Sequence, residues 1–499
     1  MIQRNTGQDA RRLIFLVILA GFVLGGYLLT SKAVYGLGFP LDDAWIHQTY
    51  ARNLIVDGEW AFLPGRPSAG STAPLWTLML ALGYRLGVDP RAWSDLLGGS
   101  LLIATAWVCG LWFVKKADKP RRWMLWAGLL VVLEWHLAWA AVSGMEILAL
   151  TFVATFVLYR LDCHPFQAFY LGAAIGFGVW IRPDALSLLL PVGWTILVRD
   201  RLTLKRLLTD VGGVCLGLAI VIVPYGISNY QLSGTWWPST FYAKSAEYAA
   251  LRGIPFIKRV LSQLSVPFIG AAAVLLPGIL ISVLQTYRER RWAEFAPLLW
   301  VLGFLAAYAW RLPVTYQHGR YAMPVIPVLL VLGSRGMFAV LDLNSDRRLP
   351  RLLSRAWPMS ICAAALAFLV LGSQAYARDV AIIETEMVRC AKWIEANTEP
   401  DAIIAAHDIG ALGYFSRRDL LDLAGLISPE VIPFLRDEDS LAQYLTDHHA
   451  DYLMTFPGWY PSLVQQAERV YLTRAKFSPM AGGENMAVYR WPSHGLLRE

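Results

Sequence analysis

Long apolar runs separated by short basic loops dominate this sequence and restrict the folds open to it. The 499 residues are 56% hydrophobic and 16% charged, whereas soluble domains contain about 25% charged residues. About 20 consecutive apolar residues cross the hydrocarbon core of a bilayer as a helix. We therefore predict a mainly α, polytopic transmembrane helix bundle. The expected spans lie at roughly 13–29, 95–114, 123–142, 145–160, 166–182, 185–198, 211–228, 264–285, 295–311, 321–341 and 357–376.

The basic residues orient these spans. The net charge is +7, but Lys and Arg fall in short clusters between apolar runs, a pattern that favours cytoplasmic loops over a nucleic-acid surface. If the N-terminus (Arg4, Arg11, Arg12) lies in the cytoplasm, all the basic loops lie there too, provided that 74–114 crosses the membrane only once. The segment 74–88 is then a re-entrant or interfacial helix. This predicts 11 spans, with the C-terminus outside. The basic loops expected in the cytoplasm are 115–122, 199–206, 287–291 and 342–355.

The composition changes near residue 377. We expect a membrane domain at 1–376, with its first external loop at 30–94, and a small soluble extracytoplasmic α/β domain at 377–499. The tail alternates helical periodicity with short apolar runs typical of strands. The five cysteines are isolated from one another, which excludes a disulfide framework or a zinc site built on paired cysteines.

Two adjacent carboxylates, Asp42 and Asp43, begin the polar stretch 39–76 after the first span. A carboxylate at the membrane–water boundary can take a proton from an acceptor hydroxyl as a general base. Asp42 also follows Pro40 and precedes a helical pattern, so N-capping explains it equally well. Asp43 and His47 lie four residues apart on one helical face, which permits a hydrogen bond. We favour Asp42 as the base.

Two further acidic positions lie at or within the expected spans. Glu146 follows Ser143 in a turn on the outer side, where an ionisable group is costly unless it pairs or faces a cavity. A capping box, with Ser143 at the N-cap and Glu146 at N3, accounts for the same spacing. Glu134 and His136 fall inside a span, and we interpret them as a structural pair.

The external loop at 229–263 combines aromatic residues with a cation. Trp236, Trp237 and Tyr242 suit stacking against sugar rings, although an interfacial aromatic belt is the commoner use of such residues. Lys244 can contact a phosphate as a point charge, or extend its stem to reach the interface.

Three further residues complete the expected outer face. Arg320 offers bidentate phosphate recognition beside His318, and Arg182 is another external cation. Carboxylates together with cations suit glycosyl transfer from a phosphate-linked donor. One group deprotonates the acceptor, and the cations stabilise the leaving phosphate. No P-loop, GxSxG or HExxH motif points to nucleotide binding, serine hydrolysis or zinc proteolysis.

Several motifs occur in order between residue 41 and about 426, and they read LDDAWIHQTYARNL, GRPSAGSTAPLW, SGMEI, IRPDAL, GTWWPSTFYAK, HGRYAMPVIP and HDIGALGY with LLDLAGL. Together they resemble the GT-C superfamily of polytopic glycosyltransferases. Within it, the chain is most similar to the bacterial arabinofuranosyltransferase B group and its uncharacterised relatives.

This resemblance implies a GT-C-like bundle in a bacterial inner membrane and an inverting transfer from a polyprenyl-phosphate sugar. The acceptor is an extracytoplasmic glycan, lipid or protein. An essential acid in the first external loop maps to Asp42, with Asp43 adjacent, and a second acidic motif maps to Glu146. Lys244 and Arg320 match basic positions for the lipid phosphate.

Some alternatives stay open at this point. No cofactor is certain, and a divalent metal ion is neither required nor excluded by three acidic residues on one side. The alternative activities are a transporter or flippase of lipid-linked sugars and a catalytically silent glycan-binding membrane protein. A transporter predicts inverted repeats, which the sequence does not show.

Overall fold

The computed structural model describes residues 6–199, 203–341 and 346–492. Arg4 and parts of the two basic loops at 199–206 and 342–355 lie outside these residues. Helices make up most of the described chain. Those that begin before residue 240 are α1 (Thr6–Val34), α2 (Asp43–Val56), α3 (Pro74–Leu86), α4 (Pro90–Lys116), α5 (Met124–Val132), α6 (Trp135–Ala141), α7 (Ile147–Cys163), α8 (Ala168–Ile181), α9 (Leu189–Val198), α10 (Leu204–Ser233) and α11 (Ser239–Glu247).

The second half of the chain adds further helices and most of the strands. Its helices are α12 (Phe256–Ser265), α13 (Ala271–Val274), α14 (Leu276–Arg288), α15 (Ala296–Arg311), α16 (Tyr316–Gly319), α17 (Ile326–Val340), α18 (Arg348–Ile383), α19 (Arg389–Asn397), α20 (Gly410–Phe415), α21 (Glu438–Asp447), α22 (Pro461–Gln465) and α23 (Phe477–Met480). The strands are β1 (Ala61–Leu63), β2 (Arg66–Pro67), β3 (Ile403–Ala406), β4 (Asp419–Asp422), β5 (Tyr452–Thr455), β6 (Glu468–Leu472) and β7 (Ala487–Arg490).

The prediction of a mainly α membrane fold is confirmed. Within the described ranges, six helices are long and apolar enough to cross a membrane, and a seventh span results if α5 and α6, bent by 69°, are counted as one. The predicted number of 11 spans stays a prediction. Helix α3 has 13 residues, about 20 Å of helix against a hydrocarbon core of about 30 Å. That length suits the expected re-entrant or interfacial segment.

The described residues form two compact units. The first contains Met1–Leu28, Asp95–Pro224 and Leu251–Gln374. Within it, α14 and α17 approach so closely that a Cβ on Gly336 would lie 1.8 Å from the carbonyl oxygen of Gly278. Small residues allow such backbone contact between membrane helices, where dispersion forces and not water exclusion drive packing.

The second unit contains Leu29–Ser94, Tyr225–Ala250 and Ala375–Glu499. Its sheet has the order β4-β3-β5-β7-β6, with β4, β3 and β5 parallel and β7 antiparallel to both neighbours. The small C-terminal sheet confirms the α/β interpretation of the tail, and its soluble, extracytoplasmic character stays a prediction. The second unit joins 29–94 and 225–250 to the tail, so it is larger than the predicted C-terminal domain. The predicted domain boundary at residue 376 stays a prediction.

The three parallel strands end at the same edge of the sheet. Ala406 of β3 pairs with Asp422 of β4 on one side and with Met454 of β5 on the other. Residues that follow these positions therefore lie side by side. In open parallel sheets, ligands bind outside the carboxyl ends of the strands, so this edge is the natural place for a site in the second unit.

Candidate functional site

Asp42 directly precedes α2 in the second unit, as the N-cap interpretation required, but its side chain makes no capping hydrogen bond. Its carboxylate instead accepts two backbone N–H bonds from the start of α20, from Gly410 at 2.7 Å and from Ala411 at 2.8 Å. Only 8% of Asp42 is exposed. The two amides hold both carboxylate oxygens in place.

Burial raises the pKa of Asp42, and the negative charges of Asp408 and Asp43 raise it further. The two amide bonds act in the opposite direction because they stabilise the carboxylate. Desolvation and like charges prevail, so the protonated form of Asp42 is favoured more than in an exposed aspartate.

Asp43, the first residue of α2, has a different environment. Its Oδ2 lies 3.2 Å from Nζ of Lys244 on α11, and 29% of its side chain is exposed. An ion pair with this exposure contributes little to stability, but it fixes the direction in which the carboxylate points. Asp43 is therefore both oriented and reachable by a ligand.

The carboxyl ends of β3 and β5 contribute further polar groups. His407 follows β3, and its Nδ1 lies 2.8 Å from the hydroxyl of Tyr460, which follows β5. The other ring nitrogen lies 3.5 Å from Glu247 at the end of α11. Burial lowers the pKa of His407, but the bond to Glu247 and the charge of Asp408 outweigh it, so the net shift is upward. The His407–Glu247 pair is thus favoured in its charged form.

Two more carboxylates lie at the same strand edge. Burial raises the pKa of Asp422, at the end of β4, to about 6, although amide bonds from Ile427 and Ala424 lower it. Burial also raises the pKa of Asp408; the charge of His407 lowers it and that of Asp43 raises it. The environment of the Asp42–Asp43 pair is therefore rich in carboxylates, with Lys244 and His407 as its nearby cations.

Sequence reasoning missed five members of this environment as site residues: Glu247, His407, Asp408, Asp422 and Tyr460. His407 and Asp408 were visible only as part of a motif in the resemblance. Their signal was their place directly after the short apolar run that becomes β3. What the sequence lacks is the strand register that places β3, β4 and β5 beside one another.

The aromatic candidates lie in the same unit. Trp236 is 61% exposed, and its ring stacks on Tyr230 with centroids 5.1 Å apart. Trp237 is half-buried and stacks on Phe241, while Tyr242 is 37% exposed.

His47 is buried, unlike these aromatic residues. Its Nδ1 lies 3.1 Å from the hydroxyl of Thr77, a contact that joins α2 to α3. A direct role of His47 in sugar binding stays a prediction.

The first unit contains a separate polar cluster. Arg182 donates to Glu146 at 2.6 Å, to Asp184 at 2.8 Å and to the hydroxyl of Tyr308 at 3.2 Å. Glu146 is completely buried and is paired as the cost of a buried charge requires. Tyr308 also donates to Asp184.

The capping-box explanation of Glu146 is wrong, because α7 begins only at Ile147 and Glu146 makes no capping bond. Ser143 donates to the carbonyl of Ala140 and accepts from the amide of Met145, and so stabilises its own turn.

Arg320 and His318 belong to the first unit as well. Arg320 is 5% exposed and donates to the hydroxyl of Tyr321 at 3.1 Å. The guanidinium carbons of Arg320 and Arg182 lie 5.0 and 5.3 Å from the Tyr321 ring centroid. The ring of His318 lies 5.4 Å from Trp135 and from Trp139. Tyr321 therefore brings two of the predicted cations together.

Three consecutive residues before Arg320 have left-handed backbone, at φ values of 52° for Gln317, 57° for His318 and 64° for Gly319. Such conformations cost free energy in residues other than glycine. They set the direction in which the chain enters the buried position of Arg320.

The Glu134–His136 pair is structural, as expected. The two side chains lie 2.8 Å apart, and Glu134 caps α6 by accepting from the amide of Leu137. The pair therefore stabilises the bend between α5 and α6. Across 6–199, 203–341 and 346–492, no group of three or more His, Cys, Asp or Glu side chains has the arrangement of a metal site.

Comparisons with known proteins bear on the fold. Residues 376–489 match a family model described as a domain of unknown function, DUF8728. No curated protein matches the chain. Among solved structures, the crystal structure of ArnT from Cupriavidus metallidurans in the apo state is similar, with a TM-score of 0.57 and 16% identity over 95% of this chain and 97% of that one.

Two further solved structures are similar to this chain in fold. ArnT from Cupriavidus metallidurans bound to undecaprenyl phosphate gives a TM-score of 0.57 and 14% identity, with 95% of this chain and 97% of ArnT covered. The cryo-EM structure of a mutant of the arabinofuranosyltransferase AftD from Mycobacteria gives a TM-score of 0.50 and 14% identity, and the similarity covers 96% of this chain and 42% of AftD. The narrower resemblance to the arabinofuranosyltransferase B group stays a prediction. The chain has a GT-C fold.

Proposed function

We propose that this chain is an integral-membrane glycosyltransferase that moves a sugar from a polyprenyl-phosphate donor to an extracytoplasmic glycan, lipid or protein acceptor. The observation that carries the proposal is the Asp42–Asp43 pair, in which backbone amides hold one carboxylate and Lys244 orients the other, which is partly exposed. The GT-C fold supports it, as does the similar structure of ArnT bound to undecaprenyl phosphate.

The reaction is a single displacement with inversion at the anomeric carbon. The base takes the proton of the acceptor hydroxyl while that oxygen forms a bond to the anomeric carbon. The bond between this carbon and the phosphate oxygen breaks, and polyprenyl phosphate leaves with the electron pair. General base catalysis contributes about 10²–10⁴-fold to such a step.

Within the pair, we assign the base to Asp43 and a positioning role to Asp42. A base must come within hydrogen-bond distance of the proton that it takes. Both oxygens of Asp42 already accept amide hydrogens, and its side chain is buried. Asp43 is partly exposed beside Lys244. This assignment differs from the prediction made from the sequence, which favoured Asp42 as the base.

In the first unit, we assign the recognition of the donor phosphate to Arg320, with Arg182 as the residue that holds Tyr321 and Glu146. Guanidinium groups bind phosphate in a bidentate manner. His318 and Lys244 stay predictions for the same role.

The proposal is tested with purified protein in lipid nanodiscs and a panel of polyprenyl-phosphate sugars. The expected result is release of polyprenyl phosphate together with a new glycosidic bond of inverted configuration. A second experiment uses the same protein in sealed vesicles. If labelled donor moves to the other leaflet and no product forms, the protein is a flippase and the proposal is wrong.

A further inference from the structure

Trp459 is an unusual surface residue. It lies in a 3₁₀-helix, Pro457–Trp459, that follows β5, and it is 46% exposed. Among the described residues of the tail from 375 onward, only Trp459 and Met480 are large exposed apolar side chains. A tryptophan usually buries its large apolar area, so an indole left open on a small domain calls for a ligand or a partner.

The ring of Trp459 is held in place before any ligand binds. Its centroid lies 5.1 Å from Phe456 on one side and 5.1 Å from His407, in an edge-to-face arrangement, on another. The preceding residue, Gly458, donates its amide to Glu484 at 2.6 Å, which fixes the turn. A preorganised aromatic surface loses little conformational entropy on binding.

One polar side chain, His407, contacts the indole and is 15% exposed, while its hydrogen-bond partner Tyr460 is buried. His407 and Tyr460 are joined by the 2.8 Å hydrogen bond described above, and the carbonyl of Glu247 accepts from Arg436 at 3.2 Å. An aromatic face beside a fixed imidazole suits a sugar ring, which presents C–H bonds on its faces and hydroxyls at its rim.

The surface also continues into the proposed catalytic site of the same unit. Trp459 contacts His407, His407 reaches Glu247 at 3.5 Å, and Glu247 lies three residues after Lys244 on α11. Lys244 in turn contacts Asp43. All the strand ends involved lie at the carboxyl edge of the parallel sheet, where ligands bind in such folds.

We propose that Trp459 forms a carbohydrate-binding subsite in which a ring of a glycan acceptor stacks on the indole beside His407, whose imidazole the buried Tyr460 holds in place. The assignment of this sugar as acceptor rests on the proposed function. It narrows the acceptor class to glycans or glycan-bearing molecules, since a bare lipid has no ring for Trp459.

The test uses the full chain in lipid nanodiscs, because maltoside detergents would compete for a sugar site. Saturation-transfer NMR measures binding of three probes: maltotriose, mannotriose and a linear arabinofuranose trisaccharide. Wild type is expected to bind at least one of them, and Trp459→Ala to weaken that binding about five- to tenfold. Trp459→Phe keeps most of the binding. Trp292→Ala, at a 43% exposed tryptophan of the first unit, leaves it unchanged.

Equal binding by wild type and Trp459→Ala, or no binding of any probe by wild type, would overturn the subsite. The same holds if brominated lipids quench more tryptophan fluorescence in wild type than in Trp459→Phe and the sugars do not reduce this difference, which would make Trp459 an interfacial anchor. Binding needs no turnover, so this result stands even if no glycosyl transfer is found. Conversely, transfer with an unchanged acceptor KM in Trp459→Ala overturns the subsite alone.

Discussion

The two aspartates at the start of α2 differ in what their carboxylates contact. Asp42 is buried against the amides of Gly410 and Ala411, whereas Asp43 is partly exposed beside Lys244. Adjacent residues of one type can therefore have separate tasks, since a helix start points consecutive side chains in different directions.

Asp42→Asn tests the positioning role. The new amide NH₂ would face one of the two backbone N–H donors and leave it unsatisfied, at a cost of about 1–3 kcal/mol. We expect a lower melting temperature in nanodiscs together with reduced activity. Asp57→Asn, at the exposed end of the same helix, serves as control. An unchanged melting temperature for Asp42→Asn would contradict the positioning role.

Arg320→Ala tests the phosphate role. A charge-assisted hydrogen bond contributes about 1.5–3 kcal/mol, which corresponds to a donor affinity weaker by roughly 10- to 100-fold. Turnover at saturating donor should change much less. Titration with polyprenyl phosphate measures the affinity, and Arg288→Ala, in an exposed position at the end of α14, is the matched variant. Equal affinities of the two variants would remove Arg320 from the donor site.

At the scale of elements, the pairing of α11 with the strand edge predicts a pH dependence. The folded-state pKa of His407 is raised, and those of Asp42, Asp408 and Asp422 are raised as well. A group with a raised pKa stabilises the fold below its unfolded pKa and loses that contribution as pH rises through the folded value. The pKa of Glu247 is lowered, so its contribution to stability changes only at acid pH, below the range of this test. Because the folded pKa values of Asp408 and Asp422 are about 6, the expected fall in stability between pH 6 and 8 comes from His407 and from Asp42, whose folded pKa is about 8.

His407→Gln should reduce the loss of stability at higher pH, because glutamine does not titrate and forms no charged pair with Glu247. Thermal melting between pH 5.5 and 8 measures it, with His448→Gln on α21's C-terminal end as control. A His407→Gln profile parallel to that of wild type would contradict the proposed charge state of the pair.

The contact of α14 with α17 predicts a steric effect. A Cβ on Gly336 would meet backbone, 1.8 Å from the oxygen of Gly278, so Gly336→Ala should destabilise the first unit by about 1–3 kcal/mol or more. A Cβ on Gly193 of α9 meets nothing within 4 Å, and Gly193→Ala should leave stability unchanged or slightly higher. Melting temperatures in nanodiscs compare the two, and equal values would refute the close contact.

Local patterns predicted part of this site from the sequence. The carboxylate pair and Lys244, and Arg320 in the first unit, became candidates because unusual polar residues stand out between apolar runs. Glu247, only three residues after Lys244, was missed, since its meaning depends on His407 about 160 residues away. Short apolar runs at 402–406, 420–426 and 451–455 also predicted the strands β3, β4 and β5. Their shared edge depends on the register of strands that are distant in sequence.

At the scale of the whole molecule, the fold is that of GT-C membrane proteins, and the orientation is still a prediction from the basic loops. Cysteines introduced at Ser462 of the tail and at Lys119 of a basic loop should differ in their reaction with an impermeant maleimide. In intact spheroplasts we expect labelling at Ser462 alone. Labelling at Lys119 alone would reverse the predicted topology.

The most direct test of the central claim is the rate of sugar transfer by Asp43→Asn. In nanodiscs, with a donor that wild type uses, we expect a loss of about 10²–10⁴-fold in kcat with an unchanged melting temperature and unchanged donor affinity. Asp57→Asn should transfer at the wild-type rate. Transfer by Asp43→Asn at the wild-type rate would show that this carboxylate is not the base.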